Sequence, residues 1–350
     1  NCRNIRANAI VVRSFDELDA MKDQVQGKIV VYNAPWINYG STVAYRVAGA
    51  SRASKYGAVA ALVRSVTPDS IESVHTGIQF YDSAYPEIPV AAITKEDAEM
   101  FQRMQVRNQT ITLHLVMESV KVEGANSSNL IFEIEGSTQP DKILLMGGHI
   151  DSWDTGSQTG ANDDGGGFIT IFEAMRLIKK NGLRPKRTLR FIAWSGEEWG
   201  DPRNGAQQYA LNHKDELANH IVAFENDLGS TRLLGFGYNG PEAGLNIIKS
   251  IAANYMSIIN ASLVNDEGHG ADTSPLYSAG VPVMANSVYD TPDHEFYFTY
   301  HHSAGDSMSI MNADDMDSNV LGIAAMFYIL ADLDNTLPRA TDTTGNLRSE

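Results

Sequence analysis

The sequence predicts an α/β fold with a mixed central sheet flanked by helices, together with a second α/β domain. Short β-rich runs alternate with helical stretches along most of the chain, which is typical of layered α/β proteins. The chain has 350 residues, more than one small core usually holds, so two domains are expected. Hydrophobic residues at 43% and charged residues at 20% describe an ordinary globular protein.

The first predicted domain covers residues 5–120. Its β-rich runs are short and bounded by turn residues, and an Ala-rich helical stretch separates the first two. His75 and His114 are isolated here, so each is predicted to be a surface or core residue rather than a metal ligand. The predicted strands are 28–33, 58–64, 88–93 and 110–116, and the predicted helices are 43–56 and 94–104.

The second predicted domain covers residues 121–338, and residues 339–350 form a polar tail. Apolar residues recur at spacings of three and four from Phe168 to Ile178, which predicts an amphipathic helix against the core. The predicted strands are 143–146, 188–194, 220–224 and 281–285, with helices from about Asp164, from Asp272 or Thr273, and over 312–333.

Composition excludes several classes of function. The formal net charge of −16 argues against nucleic acid as a partner, because phosphate binding needs basic patches. No run reaches the roughly 18 apolar residues of a membrane span. Cys2 is the only cysteine, which excludes an internal disulfide and leaves pairing with another chain open. Three sequons, at Asn108, Asn126 and Asn260, predict a glycoprotein that is secreted or lysosomal.

Acidic and imidazole side chains follow four apolar runs of the second domain. They are His149 and Asp151, the pair Glu197 and Glu198, Glu225 and Asp227, and the pair His301 and His302. Functional groups of open α/β sheets collect at the carboxyl ends of strands, so these groups are expected to converge. Converging carboxylates repel each other unless cations neutralise them. Two zinc ions that share one carboxylate need roughly two imidazoles and three carboxylates.

The residue types also indicate separate roles. Asp163 precedes a run of three glycines at a helix start and fits a carboxylate that bridges two metals. Asp151 lies two residues after His149 and is predicted to accept the second imidazole N–H. Of the adjacent pair, Glu198 is predicted to bind a metal and Glu197 to accept a proton from the bridging water and pass it to the leaving amine. No Gly-x-Ser-x-Gly motif supports a serine hydrolase.

The runs GGHIDSWD, ANDDGGG, SGEEWG, ENDLGS and HHSAGDS resemble the family of co-catalytic dizinc aminopeptidases and carboxypeptidases. This resemblance extends over nearly the whole chain. It implies that His149 and Asp227 hold one zinc, that Glu198 and His302 hold the other, and that Asp163 bridges both. It also implies that residues 5–120 are an inserted protease-associated domain.

The same resemblance implies a zinc-dependent exopeptidase of the carboxypeptidase or dipeptidase type, which acts on dipeptides or short peptides as a homodimer. The family has a longer N-terminal segment, so that segment is expected to be missing or a separate piece, or the chain to have been processed. Two alternatives stay open. One is a catalytically silent binding or storage protein with the same fold, and the other is a dimetal hydrolase of N-acyl amino acids.

Overall fold

The structure is a computed structural model that describes residues 3–120, 122, 124–154, 158–200, 203–290 and 295–339. Cys2 and residues 340–350 of the predicted tail lie outside the described residues. The chain divides into two compact units. The predicted domain bounds of 5–120 and 121–338 stay a prediction. The first unit comprises 1–125, 153–158 and 291–306, and the second comprises 126–152, 159–290 and 307–350.

The secondary structure alternates as the sequence predicts. The strands are β1 (Arg3–Val12), β2 (Ile29–Tyr32), β3 (Ala60–Arg64), β4 (Val90–Ile93), β5 (Thr112–Met117), β6 (Leu130–Ile134), β7 (Gln139–His149), β8 (Arg187–Trp194), β9 (His220–Glu225), β10 (Leu233–Asn239), β11 (Leu263–Asn265) and β12 (Val283–Val288). The helices are α1 (Phe15–Ala20), α2 (Tyr39–Thr42), α3 (Ala44–Ser54), α4 (Lys95–Val106), α5 (Gly166–Lys180), α6 (Gly205–Asn212), α7 (Glu242–Tyr255), α8 (Ser274–Ser278), α9 (Phe296–Tyr300) and α10 (Ala313–Asp332).

The first unit is built on a five-stranded sheet in the order β4-β3-β2-β1-β5. Its strands are parallel except β5, which runs antiparallel to β1. One face packs with α1 and α3 around Leu18 and Ala53, and the other packs with α4 around Val31 and Leu62. The predicted cap of α4 is confirmed, because Thr94 Oγ1 accepts the Asp97 N–H at 3.1 Å.

The second unit is built on a mixed seven-stranded sheet in the order β11-β10-β12-β9-β7-β8-β6. The neighbouring strands β9, β7 and β8 are parallel to one another. In their register His149 lies opposite Trp194, and Gly147 lies opposite Glu225. All three strands therefore end at the same edge of the sheet, which confirms the predicted convergence of their carboxyl ends.

Helices α5 and α10 cover one face of this sheet. Ile171 and Met175 of α5 and Phe327 of α10 belong to a single buried core with Phe191 and Phe224 of the strands. Each such side chain contributes roughly 1.5–3 kcal/mol through removal of apolar surface from water. This packing fixes where α5 begins, and so where the acidic residues before it lie. In the described ranges, no helix combines the length and apolar composition that crossing a bilayer requires.

Candidate metal centre

His149 is the last residue of β7 and is almost completely buried, with 1% of its surface exposed. Its Nε2 lies 3.2 Å from Asp163 Oδ1 and 3.4 Å from Asp227 Oδ1. Its Nδ1 lies 2.8 Å from the backbone oxygen of Asp151. A carbonyl oxygen only accepts, so Nδ1 carries a proton, and Nε2 is the ring nitrogen that faces the two carboxylates. A metal ion bound between these carboxylates would take the place of a proton on Nε2.

The position of Asp151 differs from the prediction in one contact. The imidazole donates to the Asp151 backbone oxygen, whereas the nearest carboxylate oxygen lies 3.9 Å from Nδ1. That carboxylate instead accepts backbone N–H groups of the loop after β8, from Gly196 at 2.7 Å and from Glu197 and Glu198 at 3.3 Å each. Three convergent amides satisfy a carboxylate better than one imidazole N–H. Asp151 thus orients His149 through its backbone and positions the acidic loop through its side chain.

Asp163 and Asp164 lie in an irregular turn just before α5, as the sequence predicts. They are joined by a cis peptide bond, and both are buried. Asp164 faces the backbone: its Oδ2 accepts the His149 N–H at 3.0 Å, and its Oδ1 accepts the Gly167 N–H at 3.1 Å. This anchoring role of Asp164 was not predicted from the sequence.

Glycine is required where Asp164 meets its neighbours. A Cβ on Gly148 would lie 2.4 Å from Asp164 Oδ2 and 2.9 Å from the backbone nitrogen of Phe168. A Cβ on Gly167 would lie 1.9 Å from the Asn226 backbone oxygen. The glycines beside the acidic motif therefore allow β7 and α5 to share the Asp164 carboxylate and allow α5 to pack closely against the end of β9.

Glu198, Asp163 and His149 each present a ligand atom within 4.8 Å of the other two, and so do His149, Asp164 and Asp227. Glu198 is buried, and Glu197 is partly exposed. The two groups share His149, so the predicted ligands at the ends of β7 and β8 and after β9 come together at one place. The adjacent Glu197 side chain is available for a different role.

Glu225 and Asp227 have different environments. Glu225 Oε2 accepts the backbone N–H of Thr273 at 2.6 Å and its hydroxyl at 3.0 Å. Asp227 approaches His149 Nε2 instead. This difference supports Asp227 as the ligand and Glu225 as the group that holds the start of α8. The predicted cap of α8 lies at Thr273, whose hydroxyl is directed to Glu225.

Asp272 is a further acidic residue, for which the sequence predicted only a possible helix cap. It is fully buried, and neither of its carboxylate oxygens has a hydrogen-bond partner among the described residues. Burial first, and then the neighbouring Glu225 and Glu197, raise the pKa of Asp272 well above its usual range. An aspartate at the N-terminal end of a short helix is usually a cap, so the sequence does not indicate this buried environment.

The electrostatics of the cluster favour a cation. Burial, followed by the Asp227 carboxylate, raises the pKa of Asp164 well above its usual range and that of Glu197 to about 9. Burial also raises the pKa of Asp227, which His149 partly offsets. Burial lowers the pKa of His149, but Asp227 and Asp163 outweigh it and raise that pKa well above 6.5. Divalent cations would neutralise these carboxylates, and imidazole with carboxylates is a donor set that zinc prefers.

His302 belongs to the first unit, in the loop after α9. Its ring stacks on His301 with centroids 3.6 Å apart, and its Nδ1 lies 3.1 Å from the backbone oxygen of Thr76. The carbonyl makes Nδ1 the donor, so Nε2 is the ring nitrogen that could bind a metal. The assignment of His302 as a zinc ligand stays a prediction.

Residues 129–327 match peptidase family M28. Carboxypeptidase Q of Xenopus laevis is 44% identical over 96% of this chain and 70% of that protein. Carboxypeptidase Q of Homo sapiens is 43% identical over 96% of this chain and 69% of that protein.

Solved structures give the same picture of the fold. A peptidase M28 precursor from Shewanella amazonensis SB2B has a TM-score of 0.88 at 29% identity, over 97% of this chain and 77% of that chain. BSAP, a zinc aminopeptidase from Bacillus subtilis, has a TM-score of 0.66 at 21% identity, over 95% of this chain and 76% of that chain. The predicted mixed α/β fold with flanking helices is therefore confirmed.

Proposed function

The chain belongs to peptidase family M28 and is similar to carboxypeptidase Q, and from this premise we propose that it is a dizinc exopeptidase of dipeptides or short peptides. Membership of the family makes it a zinc-dependent exopeptidase. The observation that carries the finer proposal is the position of His149 Nε2, which lies within 3.4 Å of both Asp163 and Asp227. A buried imidazole whose Nδ1 donates to a backbone oxygen and whose Nε2 faces several carboxylates is a metal-binding arrangement.

The donor set fits zinc at the ends of the parallel strands. His149 and Asp227 would hold one ion, Glu198 would belong to the other, and Asp163 would lie between them. When bound, zinc supplies a Lewis acid for the peptide carbonyl and a lowered pKa for an attacking water. The buried position of these side chains also keeps the charges in a low-dielectric environment, where their interactions are strong.

Glu197 is the proposed acid and base of the reaction. It accepts a proton from the attacking water and delivers that proton to the nitrogen of the departing amine, so the C–N bond breaks without release of an amide anion. Asp151 positions this carboxylate, because its side chain accepts the backbone N–H groups of both Glu197 and Glu198. Asp151 is therefore a positioning residue rather than a group that touches substrate.

We also propose that the protein is a secreted or lysosomal glycoprotein and a homodimer. The support for glycosylation is that all three sequon asparagines, Asn108, Asn126 and Asn260, are exposed. Exposure is what an oligosaccharide acceptor needs. The dimer and the location derive from the sequence resemblance alone.

The experiment that tests the proposal is an activity profile on purified protein. Dipeptides with free termini, N-acyl amino acids and N-blocked dipeptides are compared with and without a metal chelator. Chelator-sensitive hydrolysis of dipeptides supports the proposal. Faster hydrolysis of N-acyl amino acids would indicate the alternative dimetal hydrolase, and zinc binding without hydrolysis of either would indicate a silent binding protein.

A further inference from the structure

The first unit contains a cavity of about 110 Å³ between α3 and the strands β3 and β4. Its wall includes Arg46, Arg64, His75 and Gln79, with apolar surface from Val63 and Val90. No carboxylate lines it within the described residues. An apolar cavity of about 150 Å³ is known to hold benzene, so this volume is on the scale of a ligand of about six heavy atoms.

Arg46 brings an unpaired positive charge to this cavity. Its side chain is 7% exposed, and its guanidinium donates to the backbone oxygens of Thr76 and Ile78 and to the hydroxyl of Tyr39. These partners are neutral, and in the described chain no carboxylate lies within 4.0 Å of the group. A buried guanidinium without a counter-ion is costly, so a carboxylate ligand would stabilise this arrangement.

His75 contributes a hydrogen-bond acceptor to the cavity, and no donor among the described residues reaches it. The residue is 1% exposed, and its Nδ1 lies 2.6 Å from the backbone oxygen of His301, to which it must donate. The remaining Nε2 is buried and has no hydrogen-bond partner in the described part of the chain, and the same holds for Gln79 Oε1. A ligand that fits here needs N–H donors as well as a negative charge.

We propose that this cavity binds a free α-amino acid, with the carboxylate at Arg46 and the ammonium group at His75 Nε2 and Gln79. An inorganic anion would satisfy the guanidinium of Arg46 and leave the two acceptors unpaired. A simple amine would satisfy the acceptors and leave the charge of Arg46 unpaired. A small zwitterion satisfies both. The volume limits its side chain to one no larger than those of glycine, alanine and serine. This inference goes beyond the proposed peptidase activity and does not depend on it.

The test is isothermal titration calorimetry on the full chain in an inactive Glu197→Gln background. The probes are L-alanine, acetate and methylammonium. L-alanine is expected to bind with a dissociation constant of about 1 mM or tighter, and each half-molecule about tenfold more weakly or worse. Equal binding of acetate and alanine, or no binding of alanine at about 20 mM, overturns the proposal.

Two variants test whether L-alanine binds in this cavity. His75→Asn keeps a donor near the position of Nδ1 and removes Nε2, and Ala92→Leu fills the cavity from β4 without removal of a polar group. Each is expected to weaken alanine binding about tenfold or more. Arg103→Gln is the matched control, because Arg103 contacts Glu99 at 4.0 Å on the exposed surface of α4 and does not line the cavity.

Alanine binding that survives both cavity variants places the ligand elsewhere and contradicts the proposal. Two variants are used so that misfolding of one leaves the other informative, and thermal melting identifies a misfolded protein. Since only binding is measured, a negative result leaves the peptidase proposal standing.

Discussion

Oδ2 of Asp164 accepts the backbone N–H of His149 at 3.0 Å, so one buried carboxylate ties the end of β7 to the start of α5. The relative position of the proposed ligand His149 and the neighbouring Asp163 therefore depends on Asp164, a residue that we do not propose as a ligand. Asp164→Ala removes both hydrogen bonds. We expect zinc affinity to fall about 10- to 100-fold, as for other groups that orient metal ligands. Competition with a fluorescent chelator measures this affinity.

Asp215→Asn is the control for that variant, because Asp215 is exposed and far along the chain from the motif. It should leave zinc affinity unchanged. An Asp164→Ala protein that binds zinc as tightly as the wild type would show that the anchoring bond has no effect on the site.

Glu197→Gln separates proton transfer from metal binding. The amide is nearly isosteric and cannot accept the proton, so kcat should fall about 10²- to 10⁴-fold while the zinc content stays the same. Steady-state kinetics with a dipeptide and metal analysis of the same sample measure both quantities. Glu267→Gln, at an exposed position, serves as control. If the Glu197→Gln enzyme kept more than half of the wild-type turnover, the role of this carboxylate would be contradicted.

Asp227→Ala and Glu225→Ala should affect different properties, the zinc content and the stability of the fold respectively. Loss of Asp227 removes a proposed zinc ligand and should lower the zinc content with little change in the stability of the metal-free protein. Loss of Glu225 leaves the Thr273 donors unpaired and should lower the free energy of unfolding by about 1–3 kcal/mol. Urea unfolding and metal analysis distinguish the two. The reverse pattern would mean that Glu225 is the ligand.

The low pKa of His220 in the folded protein should make the protein less stable in mild acid than at neutral pH. Burial lowers the pKa of His220 to about 4, while Nδ1 donates to the Glu216 backbone oxygen and Nε2 accepts from the Tyr209 hydroxyl. The folded pKa lies below the unfolded value of about 6.5, so the unfolded chain binds the proton more tightly. The free energy of unfolding should therefore decrease as pH falls from about 6.5 to 4, by about 2 kcal/mol at pH 5.

Urea unfolding at pH 7.5 and pH 5 checks this for the metal-free wild type and for His220→Gln, which has no titratable group at that position. The difference between the two pH values should be about 2 kcal/mol smaller in the variant. An identical pH dependence in both proteins would exclude His220 as its source.

The sequence predicted which strand ends lie together, and the reason is local. The apolar runs before His149 and Glu225 are buried strands whose ends are marked by polar residues, and parallel pairing brings such ends together. The acidic turn before α5 was identified because an apolar periodicity begins immediately after it.

Other features depend on tertiary contacts that a sequence does not encode locally. The choice between the backbone and the side chain of Asp151 as partner of His149 depends on the loop amides of Gly196 and Glu198, 45 and 47 residues away. The environment of Asp272 depends on the approach of Glu225 to Thr273. The strands β1, β6, β10 and β11 were not identified. Strands β6 and β11 are short and partly exposed, and β1 and β10 carry polar or glycine residues between their apolar ones.

The central claim is that the acidic cluster around His149 holds two zinc ions that the enzyme needs. The most direct test is zinc titration of the chelator-treated protein, with metal bound per chain and dipeptide hydrolysis followed together. We expect activity to rise with zinc and to level off at two ions per chain. Hydrolysis at the full rate without metal, or no zinc bound at saturating concentration, would contradict it.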